Sequence, residues 1–157
     1  SGSNNLNRAR IKPMARYSVL IVDDESDFRD IVTKQLTRRD LYCESAADGD
    51  SALAIINTRP FDVVLLDVKM PGKDGTETLR EIKRIAPMTE VIMLTGHATV
   101  ESGINGIKYG AFDYLMKPMD IEPLMEKLDA AFERKRIQQD KIDAQPSKRD
   151  LAPPIEG

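Results

Sequence analysis

One cysteine and one histidine are all that these 157 residues contain of either type. A lone Cys43 has no partner for an intrachain disulfide, which suits a reducing compartment. Its place in the strand-like "LYCESAA" implies a buried, inert thiol. One residue of each kind also excludes a zinc site built from histidine and cysteine, which takes several such ligands. No apolar run approaches the ~20 residues that a helix needs to cross a bilayer, and no secretory pattern opens the sequence. No membrane insertion and a cytoplasmic location are therefore expected.

Charge is plentiful but unevenly spread. The net value is -3, yet residues 17–132 hold 13 Lys or Arg against 21 Asp or Glu, a balance of -8. The first sixteen residues carry +4 and the last twenty-five +1. An acidic centre argues against direct nucleic-acid binding and is compatible with a bound cation. The opening "SGSNNLNRARIKPMAR" is polar and aperiodic, and the closing "DAQPSKRDLAPPIEG" is rich in proline and charge. The expected division is a flexible N-terminal segment over 1–15, one folded domain over 16–133, and a linker helix with a flexible tail over 134–157.

Within the domain, strand-like and helical patterns alternate. Five short apolar runs, "YSVLIV" (17–22), "LYCESA" (41–46), "FDVVLL" (61–66), "EVIMLT" (90–95) and "FDYLMK" (112–117), predict strands. The first, third and fourth are apolar at nearly every position, as strands covered on both faces are. Helical spacing intervenes: Phe28, Ile31, Val32 and Leu36 form one face, with Ser26 as candidate N-cap. Ala52, Leu53 and Ile56 form a second, and Leu79, Ile82 and Ala86 a third that Pro87 closes. A fourth helical segment, "TVESGINGIKYG", holds Gly103 and Gly106, each costing about 1 kcal/mol relative to alanine; close packing or a movable helix would account for them. A last helix starts at Asp120, carries Pro123 in its first turn, and buries Leu124, Leu128 and Ala131. It is expected to run on through "AAFERKRIQQDKID", where Lys135 and Gln138 at seam positions suit a solvated linker better than a coiled coil. The pattern predicts an α/β fold: a five-stranded parallel sheet of order 2-1-3-4-5, flavodoxin-like, with helices on both faces.

The polar residues of interest stand where strands end. The first run ends in Asp23-Asp24-Glu25, the third in Asp67, the fourth in Thr95 and the fifth in Lys117-Pro118. In a parallel sheet these ends share one edge, where open α/β folds bind ligands. Each has a bland reading by itself: turn chemistry for Asp67, helix capping for Asp23, a turn for Lys117-Pro118 and packing for Tyr114. Together they make a different case. Three clustered acids repel unless a cation neutralises them, and an all-oxygen set suits Mg²⁺. A metal, a hydroxyl and an ammonium can bind phosphoryl oxygens, and a carboxylate beside them can act as nucleophile.

The stretches "LIVDDE", "VLLDVKMPGKDG", "VIMLTGHA" and "DYLMKP" resemble, in order and spacing, the receiver domains of two-component response regulators. The resemblance covers roughly residues 16–133. It implies that Asp67 accepts a phosphoryl group from a sensor histidine kinase or phosphotransfer protein. Asp24 would bind Mg²⁺ (or Mn²⁺) directly, Asp23 through water, and Lys69 through its backbone carbonyl. Thr95 and Lys117 would contact phosphoryl oxygens, Pro118 would follow a cis bond, and Tyr114 would be the switch aromatic moving with Thr95. Lys69 and His97 would tune phosphoryl loss; neither supplies an extra acid, so slow loss is expected. The face of the fourth helix, fifth strand and last helix would engage an output domain or protein, and two copies could pair through it. Such a domain assists its own phosphorylation and dephosphorylation without being an enzyme in the usual sense. "TGHA" is similar to receivers attached to enhancer-type activators, although four residues do not assign an output.

Two other classes share parts of this chemistry. A haloacid-dehalogenase-type phosphatase also uses a strand-end aspartate, but has Asp-x-Asp where this chain has Asp67-Val68-Lys69. A flavodoxin-like FMN binder needs a phosphate-cradling loop after the first strand, and "DDESD" would repel that phosphate.

Overall fold

The computed structural model describes residues 15–69, 75–96 and 106–144. Five strands, β1 (Ser18–Val22), β2 (Tyr42–Ala46), β3 (Val63–Asp67), β4 (Glu90–Thr95) and β5 (Asp113–Met116), form one parallel sheet. Their order is β2-β1-β3-β4-β5. Helices α1 (Ser26–Thr37), α2 (Gly49–Thr58), α3 (Gly75–Ile85) and α4 (Ile121–Ala144) cover it. Of the expected fourth helical segment, residues 106–108 are helical and the part holding Gly103 lies outside the described residues.

The near-continuous apolar runs divide by the strand period of two. Val19, Ile21, Val63, Leu65, Ile92 and Leu94 face Val32 and Leu36 of α1 and Leu124, Leu128 and Ala131 of α4. Leu20, Val22, Val64, Leu66, Val91 and Met93 face Ala52 and Ile56 of α2 and Leu79 and Ile82 of α3. Every residue of β3 and β4 is buried, whereas β2 and β5 at the edges are only partly so. Each fully buried aliphatic side chain contributes about 1.5–3 kcal/mol, so these central strands anchor the sheet edge that carries the polar residues.

Several local expectations need correction. Glu25, not Ser26, occupies the N-cap position of α1, and its side chain makes no capping bond. Ile31 is 57% exposed rather than core-facing. The apolar arc of α1 is wider than the sheet it covers, and Ile31 instead lines a 350 Å³ groove with Phe28, Val32, Met119 and Leu124. Cys43 is half-buried, because β2 is an edge strand; burial still pushes its thiol up to about 11, which keeps it inert. β3 begins two residues later than its apolar run and ends on Asp67 itself.

The C-terminal helix continues to Ala144 and is exposed over 140–144. Two residues past the expected boundary still touch the domain. Arg134 pairs with the buried Glu90 at 3.2 Å, and Lys135 Nζ lies 2.7 Å from Asp62 Oδ1.

Candidate functional site: an acidic cluster at the sheet edge

Register explains how residues 94 positions apart in sequence meet. Val22 aligns with Leu66, Asp67 with Leu94, and Thr95 with Met116. The residue after each alignment therefore emerges on one edge: Asp23 beside Asp67, Thr95 one step beyond Leu94, and Lys117 one step beyond Met116. Backbone bonds continue the sheet past the strand ends. Asp23 N–H donates to the Ala46 carbonyl at 3.1 Å, Val68 N–H to Leu94 at 2.8 Å, and Lys117 N–H to Thr95 at 2.8 Å.

Asp23, Asp24 and Asp67 each offer an oxygen within 4.8 Å of the others. Asp23 and Asp67 are buried and Asp24 is exposed. Asp23 is held on every side: its Oδ1 accepts from Glu25 N–H at 2.9 Å, its backbone carbonyl accepts from Arg29 at 2.7 Å, and its Oδ2 meets Lys117 Nζ at 2.7 Å. Asp67 Oδ1 accepts from Lys69 N–H at 3.1 Å, and Asp67 Oδ2 stands 4.0 Å from Lys117 Nζ.

The electrostatics follow from this geometry. Burial, reinforced by the charges of Asp23 and Asp24, pushes Asp67 up to about 6 against the opposing Lys69 N–H and Lys117. Burial alone would lower Lys117, but its bonds to Asp23 and Glu25 outweigh that and raise it. The pocket is short of positive charge, and its donors are all oxygen. That set fits a hard divalent cation such as Mg²⁺, which takes one or two carboxylates and keeps waters.

Thr95 is buried at the end of β4, Lys69 is exposed at the mouth, and Tyr114 is 39% exposed on β5. The Lys117–Pro118 peptide is cis. His97 lies outside the described residues, as do 70–74 of the loop after Asp67.

Three neighbours of the cluster were given no role in the site from sequence. Glu25 Oε1 lies 3.0 Å from Lys117 Nζ, and the Phe28 ring lies 4.3 Å beneath that ammonium. Gly75 sits so close to the chain after Asp67 that a Cβ would come within 2.6 Å of Val68 Cα. The acid of "DDE" and the glycine of "KDG" carried a signal, but only the fold shows what they touch.

Comparison with known proteins agrees with this architecture. The chain is 37% identical over 126 residues to the DNA-binding transcriptional regulator NtrC of Klebsiella pneumoniae, covering 80% of this chain and 27% of that protein. It thus spans about a quarter of that relative's length. The crystal structure of NtrX from Brucella abortus in complex with ATP superposes with a TM-score of 0.78 at 34% identity, covering 83% of this chain and 30% of that one. A CheY-like response regulator receiver domain protein from Methanospirillum hungatei superposes at 0.75 with 31% identity, covering 78% of this chain and 98% of that one. The model of the response regulator receiver domain matches residues 19–129, which hold the whole cluster, and the chain belongs to that family.

Proposed function

We propose that this domain accepts a phosphoryl group on Asp67 from a phosphohistidine of a sensor kinase or phosphotransfer protein, in the presence of Mg²⁺, and thereby switches an output partner. The observation that carries this reading is the convergence of three carboxylates within 4.8 Å with Lys117 4.0 Å from Asp67. In the transfer a carboxylate oxygen of Asp67 attacks phosphorus, a P–O bond forms, and the P–N bond to imidazole breaks. The imidazole leaves with the bonding pair and takes up a proton.

Asp24 would hold the metal directly, Asp23 through water, and Lys69 by its backbone carbonyl; Mn²⁺ suits the same oxygens. The metal supplies charge neutralisation for the incoming phosphoryl oxygens. The chain's own residues do the rest. Asp67 is fixed by the Lys69 N–H, while Thr95 and Lys117 stand on adjoining strand ends to bind phosphoryl oxygens. Such a group adds about -1.5 to -2 charges, enough to draw Thr95 and Lys117 and to bias the outward-facing Tyr114.

Tyr114 and Met116 are exposed apolar residues on β5, and the face of the fourth helix, β5 and the last helix would engage the output, with a second copy as one candidate occupant. The receiver would occupy residues 16–133, and the linker helix would begin at residue 134. Transfer from the kinase would take place in the cytoplasm. No helix among the described residues is long and apolar enough to cross a membrane. Loss of the phosphoryl group to water would be slow and self-assisted, with Lys69 and His97 as the tuning positions.

Intact-protein mass after incubation with acetyl phosphate tests the reading. One labile addition that needs both Mg²⁺ and Asp67 supports it. A folded protein that gains no mass, or an Asp67→Asn variant that still does, counts against it.

A further inference from the structure

The third acid of the β1–α1 loop belongs to no metal cluster among the described residues, yet it contacts the lysine of the site. We propose that Glu25 is a positioning residue for Lys117, drawing its ammonium away from Asp67 and so weakening the hold on any phosphoryl group there. This inference rests on the phosphoacceptor reading of Asp67.

An ammonium has three donors and no acceptor. Lys117 Nζ spends one on Asp23 Oδ2 at 2.7 Å and one on Glu25 Oε1 at 3.0 Å. The Phe28 ring, 4.3 Å away, takes the remaining face of the cation. Asp67, at 4.0 Å, is left outside hydrogen-bond reach. For Lys117 to bind a phosphoryl oxygen on Asp67, one of the three must be given up.

The three differ in what release costs. The Asp23 side chain has no solvent exposure, so its Oδ2 cannot turn out to bulk water when Lys117 leaves, and that release is the costlier one. Phe28 is half-buried against the core cluster that α1 covers and would expose apolar ring surface if it withdrew. The Glu25 side chain is 65% exposed and rehydrates readily, so it is the partner surrendered. Its placement is nevertheless defined. Glu25 N–H is tied to Asp23 Oδ1 at 2.9 Å, and although Glu25 stands at the N-cap of α1, its side chain caps nothing. The carboxylate that would ordinarily close the helix is turned to the lysine instead.

An exposed ion pair biases an equilibrium about two- to fivefold without locking it. Glu25 therefore sets how readily the site retains its phosphoryl group.

Beryllofluoride, a tetrahedral phosphoryl analogue that binds carboxylate oxygen, provides the test. Its affinity would be measured by ¹⁹F NMR at saturating Mg²⁺ for the wild type, Glu25→Gln, Glu25→Asp and Asp27→Asn. Glu25→Gln is expected to bind about two- to fivefold more tightly. Glu25→Asp keeps the charge but falls one methylene short of Lys117, so it should follow Glu25→Gln. Asp27→Asn, which removes an acid from the first turn of α1, should match the wild type. Unchanged affinity in Glu25→Gln would overturn the inference. So would Glu25→Asp matching the wild type while Asp27→Asn matches Glu25→Gln, since a diffuse field would then explain everything. A wild type that takes up no beryllofluoride would instead remove the phosphoacceptor reading, and this inference with it.

Discussion

Lys117 Nζ lies 2.7 Å from Asp23 Oδ2, a carboxylate with no exposure to solvent. The two residues are 94 positions apart in sequence, and their contact ties the loop after β1 to the loop after β5. Breaking such a pair from one side leaves a buried charge uncompensated. Lys117→Met is expected to cost roughly 3 kcal/mol in urea unfolding without metal. Because a divalent cation can replace the lost positive charge, Mg²⁺ should stabilise Lys117→Met more than it stabilises the wild type. Equal Mg²⁺ responses in the two proteins would mean that Asp23 does not depend on Lys117 for neutralisation.

Asp67 gives a pH dependence whose sign follows from its burial. Its carboxyl is raised from 3.8 to about 6, so ionising it works against the fold. Below about pH 4 both states hold the proton and there is no cost. Between about pH 4 and 6 the folded state keeps a proton that the unfolded state loses, and stability falls as pH rises. Above about pH 6 the cost is complete, at most about 3 kcal/mol for two pKa units. Asp67→Asn should therefore be the more stable protein at pH 7.5 without Mg²⁺, and the difference should vanish near pH 4. Unfolding curves at both values check this; a variant less stable at pH 7.5 would show that the carboxylate supports the fold.

The strand-end acids, Thr95 and Lys117 were legible in sequence because each closes an apolar run, and a parallel sheet puts run ends on one edge. Fully buried β3 and β4 made their runs unambiguous. Other features were hidden for physical reasons. Ile31 lies on the same helical stripe as Val32 and Leu36, and periodicity cannot say where the covering sheet stops. Ser26 looked like the cap because its residue type suits one, but the Asp23 carboxylate takes the loop N–H of Glu25 and the helix starts around it. The pairing of Glu25 with Lys117 depends on the register of four strands, which no local pattern encodes.

Two glycines separate packing from site geometry. A Cβ on Gly75 would lie 2.6 Å from Val68 Cα and 2.7 Å from the Asp67 carbonyl oxygen, so the backbone carrying Asp67 and Lys69 would have to move. A Cβ on Gly49 would strike the Thr78 side chain, away from the acids. Both Gly→Ala variants should lose about 1–3 kcal/mol of stability. Gly75→Ala should also lose about tenfold in Mg²⁺ affinity, as second-layer changes at metal sites do, whereas Gly49→Ala should lose none. Calorimetric Mg²⁺ titration of both distinguishes them, and equal affinities would place Gly75 among purely structural residues.

Two charges just past the proposed boundary at residue 133 tie the start of the linker helix to the domain. Arg134 neutralises Glu90, whose side chain is 3% exposed at the start of β4. Lys135 neutralises Asp62, which also accepts from the Ser18 N–H and hydroxyl at the start of β1. Both acids sit on the sheet edge opposite the acidic cluster, so their loss would loosen the fold without touching the site. A chain ending at residue 137 should match the full chain within about 0.5 kcal/mol. A chain ending at residue 133 should lose about 1–3 kcal/mol, since buried Glu90 keeps only the more distant charge of Lys83 to offset it. If the cost comes from that under-compensated acid, Glu90→Gln in the shorter chain should recover part of it. Equal stability of the two truncations would instead show that the contacts of Arg134 and Lys135 contribute nothing and that the linker helix is not anchored at its start.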